Sequence, residues 1–317
     1  MSCTTLVRGM TRPHINLGFR YSRSVHSYLP GLGHGAGRMT PLGRKDPSDP
    51  SVQNEKLMAR LKSLATGPLC DSDKLHRQIA KTTDIPELKS YEGLRLMCPS
   101  SMTLRNPLPK HEIQSKGKSN IMVGIARTCQ LTRTNDFLGV LYALSRTRPK
   151  DVLVVNSCGS TRAVAGSLFA AEAARRGLRG IVIDGPVRDV DDLSTETRVY
   201  STMVSPYAGT VQHVGEGIDV TPVICGGVEV NPGDIVFGDT DGVLVGSAKS
   251  FSICIHEAEN IMSVEKQLME GMRLGVSLHA MTNFDEHIQL RKEGQESSLE
   301  FKDLNTIKFD AEPLHMY

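Results

Sequence analysis

Short, wholly apolar runs alternate along the chain with helical periodicities and Gly-rich connections. Val152-Leu153-Val154-Val155 is β-branched on nearly every position and is followed by a stretch rich in Ser, Gly and Thr, which predicts a strand buried on both faces. Gly166 opens a segment of strong helix formers, Ser167 to Arg176, with basic residues in its last turn and Gly177 at the cap position. Gly180 to Asp184 supplies the next apolar run. Residues 151–189 therefore predict a β-loop-α-β unit, with a right-handed crossover if the strands are parallel.

The flanks follow the same logic. A polar linker, 46–54, carries Pro47 and Pro50 and precedes a helix expected from about Glu55 to Ala65. Residues 99–119, with Pro99, Pro107 and Pro109, read as an irregular loop before a strand at Ile121 to Ala126. Asn135 to Arg146 reads as a helix with Phe137, Leu138, Leu141 and Leu144 on its inner side. Short strands follow at 223–225, 227–230, 235–237 and 243–245, separated by Asn231-Pro232-Gly233-Asp234 and Asp239-Thr240-Asp241-Gly242. The second of these is a turn rather than a calcium loop, because the further ligands of an EF-hand are missing. A helix over 251–273 has methionines at core spacing, and beyond about residue 283 the chain becomes polar enough to predict a loose tail.

Composition adds three constraints. With 317 residues, 39% of them hydrophobic, the chain can bury a substantial core. No stretch approaches the roughly 18 apolar residues needed to cross a bilayer, so no membrane role is expected. The net charge of +2 hides a segregation: residues 1–45 hold seven Lys or Arg and no acid, leaving 30 basic against 35 acidic residues and a net charge of −5 for the remainder. That Arg- and Ser-rich leader, with Arg8, Arg12, Arg20, Arg23 and Arg38, reads as a disordered mitochondrial presequence, or else as a basic tail. An acidic body with 5% aromatics and no Trp argues against nucleic acid as a partner. Seven cysteines without a CxxC pair and ten dispersed histidines exclude a zinc ribbon or an HExxH site.

Candidate chemistry gathers where the β-loop-α-β unit turns. In such units ligands lie beyond the carboxyl ends of the strands, where the loop at Gly166, Ser167, Leu168 and Phe169 and the pair Arg188-Asp189 both fall. Helix-start amides can hold a carboxylate, Arg188 presents a planar fork of donors, and Asp189 offers oxygen to a hard divalent ion. Taken singly, Gly166 equally describes an ordinary helix start and Arg188-Asp189 a solvated pair. Asp191 and Asp192 equally describe a turn.

The combined string, Gly166-Ser-Leu-Phe-Ala, Gly177, Gly180-Ile-Val-Ile-Asp-Gly and Val187-Arg188-Asp189-Val-Asp-Asp192, resembles the RraA-like family. That family includes 4-hydroxy-4-methyl-2-oxoglutarate aldolases and the regulator of ribonuclease activity. The likeness also covers Val123 to Thr128 and Gly226 to Gly242 and extends over roughly 55–275, leaving 276–317 as a C-terminal extension. It implies an α/β protein with the α-β-β layered, swivelling-domain fold, assembled as a homotrimer or a hexamer with sites at subunit boundaries. It further implies that amides at Gly166 to Phe169 bind a substrate carboxylate, that Arg188 contacts the keto acid, that Asp189 ligates Mg²⁺ or Mn²⁺, and that Asp192 completes the catalytic signature.

The function so implied is a metal-dependent lyase on small 2-keto acids, of the 4-hydroxy-4-methyl-2-oxoglutarate aldolase or oxaloacetate decarboxylase type, both of which pass through pyruvate enolate. One position departs from the pattern. Family aldolases usually carry Asp or Glu after the glycine, and this chain has Ser167, whose hydroxyl cannot replace a carboxylate base. The alternative is therefore a non-catalytic regulator that binds a ribonuclease or another protein partner.

Overall fold

The computed structural model describes residues 50–82, 86–97, 101–109, 112–113, 119–214, 219 and 221–302. The expected presequence lies outside the described residues.

The chain begins with α1 (Pro50–Leu61), α2 (Thr66–Thr82) and a single turn, α3 (Pro86–Lys89). Two short strands follow, β1 (Arg95–Leu96) and β2 (Thr103–Leu104), and then the long β3 (Met122–Gln130). Next come α4 (Leu138–Arg146), β4 (Asp151–Asn156), α5 (Ser167–Arg175), β5 (Gly180–Val187) and β6 (Arg198–Val204). A hairpin of β7 (Val223–Cys225) and β8 (Val228–Val230) precedes β9 (Ile235–Gly238) and β10 (Val243–Gly246). Two helices, α6 (Ala248–Arg273) and α7 (Phe284–Lys292), complete the order.

Eight strands form one mixed sheet in the order β1-β10-β9-β3-β4-β5-β6-β2. Its centre, β3 to β6, is parallel, and the outer pairings are antiparallel. Strand alternation sorts the core into layers. Leu153, Val155, Ile181 and Ile183 face α4 and α5 in one cluster, while Val152, Val154 and Val182 face the β7–β8 hairpin in another. Burial on both faces is why these strands read as continuous apolar runs. A third cluster packs Leu57 and Leu61 of α1, Leu69 of α2 and Phe251, Cys254 and Ile255 of α6 against Val123, Ile235, Phe237 and Leu244. Helices on one face of the sheet and a hairpin on the other give the expected α-β-β layering.

Four expectations are corrected. The helix placed at 55–65 runs from Pro50 to Leu61, so the second half of the expected linker is helical; proline is accepted in a first turn, where its missing N–H costs nothing. The helix placed at 135–146 starts at Leu138 and buries Gly139, Val140, Ala143 and Leu144, leaving Leu141 40% exposed. Leu144 is buried as expected, and Gly139, Val140 and Ala143 complete the inner face in place of Leu141. The irregular stretch before β3 contains β2, which pairs with β6 through Thr103 with Ser201 and Leu104 with Tyr200. The loose tail is corrected over 284–302, where α7 forms and Phe301 bridges back to Thr282, while 303–317 lie outside the described residues.

Candidate active site

Backbone pairing at the carboxyl end of β5 builds the site. Val187 pairs with Val204 on one side and bridges to Ala165 on the other, and the Arg188 N–H donates to the Ala165 carbonyl at 3.1 Å. Val164 N–H donates to Pro186 O at 3.0 Å, so the connection from β4 to α5 is laced along the outgoing end of β5. Within β5 the register shifts between Ile183 and Pro186. Gly185 sits there with φ of 156°, and a Cβ at that position would fall 2.2 Å from Ser157 Oγ. The shifted register is where a strand re-aims its end.

Gly166 precedes the first turn of α5, and its backbone is extended, with φ of −165° and ψ of −159°. Glycine is required there for space. A Cβ would lie 2.7 Å from Asp189 Oδ2 and 3.0 Å from Arg188 Cγ, so only hydrogen permits the two segments to close on each other. Asp189 adopts a left-handed conformation, φ 55° and ψ 45°, which Asp tolerates better than most residues. That reversal leads into a 3₁₀ turn, Val190–Asp192, and brings the carboxylate back over the start of α5.

Three donors converge on Asp189 Oδ2: Ser167 N–H at 3.5 Å, Ser167 Oγ at 3.3 Å and Arg188 Nε at 3.3 Å. The Arg188 and Asp189 side chains are 41% and 37% exposed, so as a surface ion pair they add little to stability. Of the amides expected to hold a carboxylate, Ser167 N–H faces Asp189 and Phe169 N–H donates to Gly166 O at 3.1 Å. That leaves Leu168 N–H as the first-turn donor without an intramolecular partner among the described residues.

A shallow cleft opens between these groups, floored by Ala163 to Gly166 and walled by Phe137, Leu168, Phe169 and Ala208, with Arg188 and Asp189 at its polar end. Phe137 and Phe169 meet edge to face with ring centroids 5.7 Å apart. The cavity volume is about 40 Å³, room for roughly three waters, so a single chain does not enclose a ligand here. Of the residues singled out in the sequence, Gly166, Leu168, Phe169, Arg188 and Asp189 line this cleft and Ser167 contacts Asp189. Asp192 does not join them. It ends the 3₁₀ turn with an exposed side chain, and its link to the site is its backbone N–H donating to Asp189 O at 3.1 Å.

Sequence reasoning missed the support on the far side of the cleft. Asn135, at φ 61°, accepts from the Thr161 and Arg162 N–H groups through Oδ1, both at 2.8 Å, and so holds the loop that leads to Gly166. Next to it Asp136 is 3% exposed. Burial raises its pKa, but bonds from Gln212 N–H at 2.8 Å, the Thr210 hydroxyl at 2.8 Å, Leu138 N–H and His213 N–H outweigh that and take it down to about 2. The available signal was an Asn-Asp pair before a helix, the composition of a capping turn.

The RraA-like family model, described as aldolase/RraA, matches residues 79–245, just over half of the chain. The chain belongs to the RraA-like family. A relative from Albidiferax ferrireducens, provisionally named a 4-hydroxy-4-methyl-2-oxoglutarate aldolase, is 30% identical over 195 residues, which is 59% of this chain and 97% of the relative. A second with the same provisional name, from Halalkalibacterium halodurans, is 36% identical over 137 residues, 42% of this chain and 63% of the relative. Among solved structures, Streptomyces coelicolor RraAS2, titled an unusual member of the RNase ES inhibitor RraA protein family, aligns with a TM-score of 0.50 and 24% identity, covering 69% of this chain and 98% of that one. An uncharacterised Pseudomonas syringae protein aligns at 0.52 and 19%, covering 71% and 96%. These two likenesses establish the RraA-like fold. The family match ends at Val245, so α6 and α7 lie beyond it.

Proposed function

We propose that this RraA-like protein is a divalent-metal-dependent lyase on small 2-keto acids, acting on 4-hydroxy-4-methyl-2-oxoglutarate, oxaloacetate or both. The observation that carries the reading is the meeting of a cation, a carboxylate and a helix start around one cleft at the carboxyl ends of β4 and β5. The aldolase name of two relatives supports the same class.

The donor set suits a hard ion with few protein ligands. Among the described residues no three His, Cys, Asp or Glu side chains gather around a common point. Asp189 is a single, solvent-reachable carboxylate, and Mg²⁺ commonly takes one or two carboxylates and completes its shell with water and substrate oxygens. Mg²⁺ or Mn²⁺ held by Asp189 would supply Lewis-acid stabilisation of negative charge on the keto oxygen.

The chain's own groups do the rest. Leu168 N–H, at the positive end of α5, holds the substrate carboxylate. Arg188, already placed 3.3 Å from Asp189 Oδ2, puts fixed positive charge beside the oxygen that becomes anionic as the C–C bond breaks. Retro-aldol cleavage of the hydroxy diacid and loss of CO₂ from oxaloacetate reach the same pyruvate enolate, so one arrangement serves both. Phe137 and Phe169 give the remainder of the substrate an apolar wall. Because one chain leaves the cleft open, the reading includes a homotrimer or hexamer whose neighbouring copy closes it.

A second reading rests on Ser167. Its hydroxyl sits 3.3 Å from Asp189 Oδ2 and cannot act as a carboxylate base, which favours a chain that binds through this surface without turnover, as a regulator of a protein partner would. Pyruvate release from both diacids with Mg²⁺ and with Mn²⁺, run beside Asp189→Ala, separates the two. Release above the metal-only rate that disappears in the variant supports the lyase. Release no faster than metal alone leaves the regulator.

A further inference from the structure

The opposite end of the same parallel strands carries a second cleft with a different chemistry. It lies where α1 crosses the incoming ends of the parallel strands and has a volume of about 170 Å³. Lys62, Lys150 and Arg179 line it, with Glu55 as the one acid among its lining residues. The three cations come from three places: Lys62 follows α1, Lys150 immediately precedes β4, and Arg179 immediately precedes β5.

Their convergence is built into the backbone. Arg179 N–H donates to Asp151 O at 2.8 Å and Lys150 N–H to Gly177 O at 2.8 Å, which ties the two strand entries together. Lys150 is held at φ 73°, a left-handed conformation that a lysine seldom adopts. Gly124 of β3 makes the approach possible, since a Cβ there would fall 2.5 Å from Lys150 O and 2.8 Å from Val152 Cγ2. Glu55 reaches Lys150 at 3.3 Å between two largely exposed side chains, which leaves the other two cations without an acidic partner among the described residues. The Lys62 pKa is lowered, first by burial and then by the charges of Arg179 and Lys150, so these cations feel one another.

We propose that this cleft binds a phosphate-bearing small molecule. Three cations against one carboxylate leave a surplus of two positive charges, which matches the charge of about −1.5 to −2 on a phosphate monoester at neutral pH. Cations supplied by three separate chain segments around one cleft suit a compact group with several anionic oxygens, and Arg with Lys is the usual pairing for phosphate. The β4 strand separates this cleft from the candidate active site by about 20 Å, six residues at roughly 3.3 Å each.

Isothermal titration of the full chain at low ionic strength with inorganic phosphate and with glycerol phosphate tests the proposal. Saturable binding is expected for at least one of the two, and the tighter one identifies free phosphate or an ester as the source. The double variant Lys62→Gln, Arg179→Gln should weaken binding about tenfold or more, the scale of losing a charge-assisted contact. Glu55→Gln should tighten it, and Arg188→Ala at the other end of the strands should leave it unchanged. The substituted side chains are all exposed, and an unshifted melting temperature confirms folding. Absence of saturable binding to both probes, unchanged affinity in the double variant, or loss of binding in Arg188→Ala overturns the proposal. Binding of polyglutamate without binding of either phosphate does the same, because it would assign the cleft to an acidic protein partner.

Discussion

Asp189 and Asp239 both follow an apolar strand, both belong to the motifs that carry the family resemblance, and have opposite surroundings. Asp189 is 37% exposed, its contacts come from the residues of one cleft, and its backbone is left-handed. Asp239 is 7% exposed and accepts Thr66 N–H at 2.7 Å and Asp241 N–H at 2.9 Å, while its carbonyl takes the Tyr200 hydroxyl at 2.7 Å. It therefore caps α2 and closes the β9–β10 turn. An acid fully used by its own fold has no capacity left for a ligand, whereas one that is half exposed and loosely held at 3.3–3.5 Å does.

The comparison is broken or kept most decisively by truncating each acid. Asp189→Ala should lower metal-dependent pyruvate release by at least about 100-fold, because the ion that would stabilise developing charge is no longer held, with little change in melting temperature. Asp239→Ala should cost about 2 kcal/mol of stability, because it removes a helix cap, strands the buried Thr66 N–H and frees the turn at Asp241, yet leave activity per folded molecule intact. Calorimetry and the pyruvate assay on both proteins give the four numbers needed. The same pattern of loss in both variants would erase the distinction.

Asp136 extends the contrast to acid pH, as a second buried and fully bonded carboxylate. Its pKa of about 2 lies below the ordinary value of 3.8, so the folded state favours its charged form. The sign is that of a depressed acid: the stabilisation is complete above about pH 4 and is lost as pH falls through 4 toward 2. It amounts to about 2 kcal/mol, and Asp136→Asn should lose that much at pH 7 while differing little from the parent near pH 2. Urea unfolding at the two pH values measures it.

Gly166→Ala probes the cleft without removing any functional group. The extended backbone accepts alanine, but the new methyl would fall 2.7 Å from Asp189 Oδ2. Asp189 has to move, and an expected loss of about tenfold in turnover follows from a displacement of under an ångström at a positioned group. An unchanged rate would show that Asp189 need not sit where it does.

How much of this was legible beforehand depends on the range over which each signal acts. The apolar runs at 152–155 and 181–183, the Gly-bounded α5 and the turn at 239–242 are local patterns, and each reappears in the fold. Arg188 and Asp189 were singled out because they follow the strand in the sequence, and the structure places both at the cleft. The exclusion of Asp192 from the cleft required the left-handed turn at Asp189, which no periodicity encodes. Asn135 and Phe137 reach the site through contacts 26 to 32 residues distant, with Thr161 and Phe169, and only a three-dimensional arrangement reveals them. On α4 Leu144 was placed correctly but Leu141 was not, because leucines outweigh small residues in any hydrophobic count, while close packing on a sheet favours Gly139 and Ala143.

Ser167 gives the smallest effect and the finest test. Ser167→Asp places a second carboxylate where a hydroxyl now stands 3.3 Å from Asp189 Oδ2. Two like charges at that separation repel when no divalent ion is present. A divalent ion relieves that repulsion and gains a ligand. The Mg²⁺ concentration for half-maximal pyruvate release should accordingly fall about threefold, because affinity for a hard ion rises with ligand charge. Stability should respond in the opposite sense, lower without metal and recovered with it, which a melting curve at each Mg²⁺ concentration reads directly. If the added acid changes neither, Asp189 is not where the metal acts, and its difference from Asp239 reduces to exposure alone.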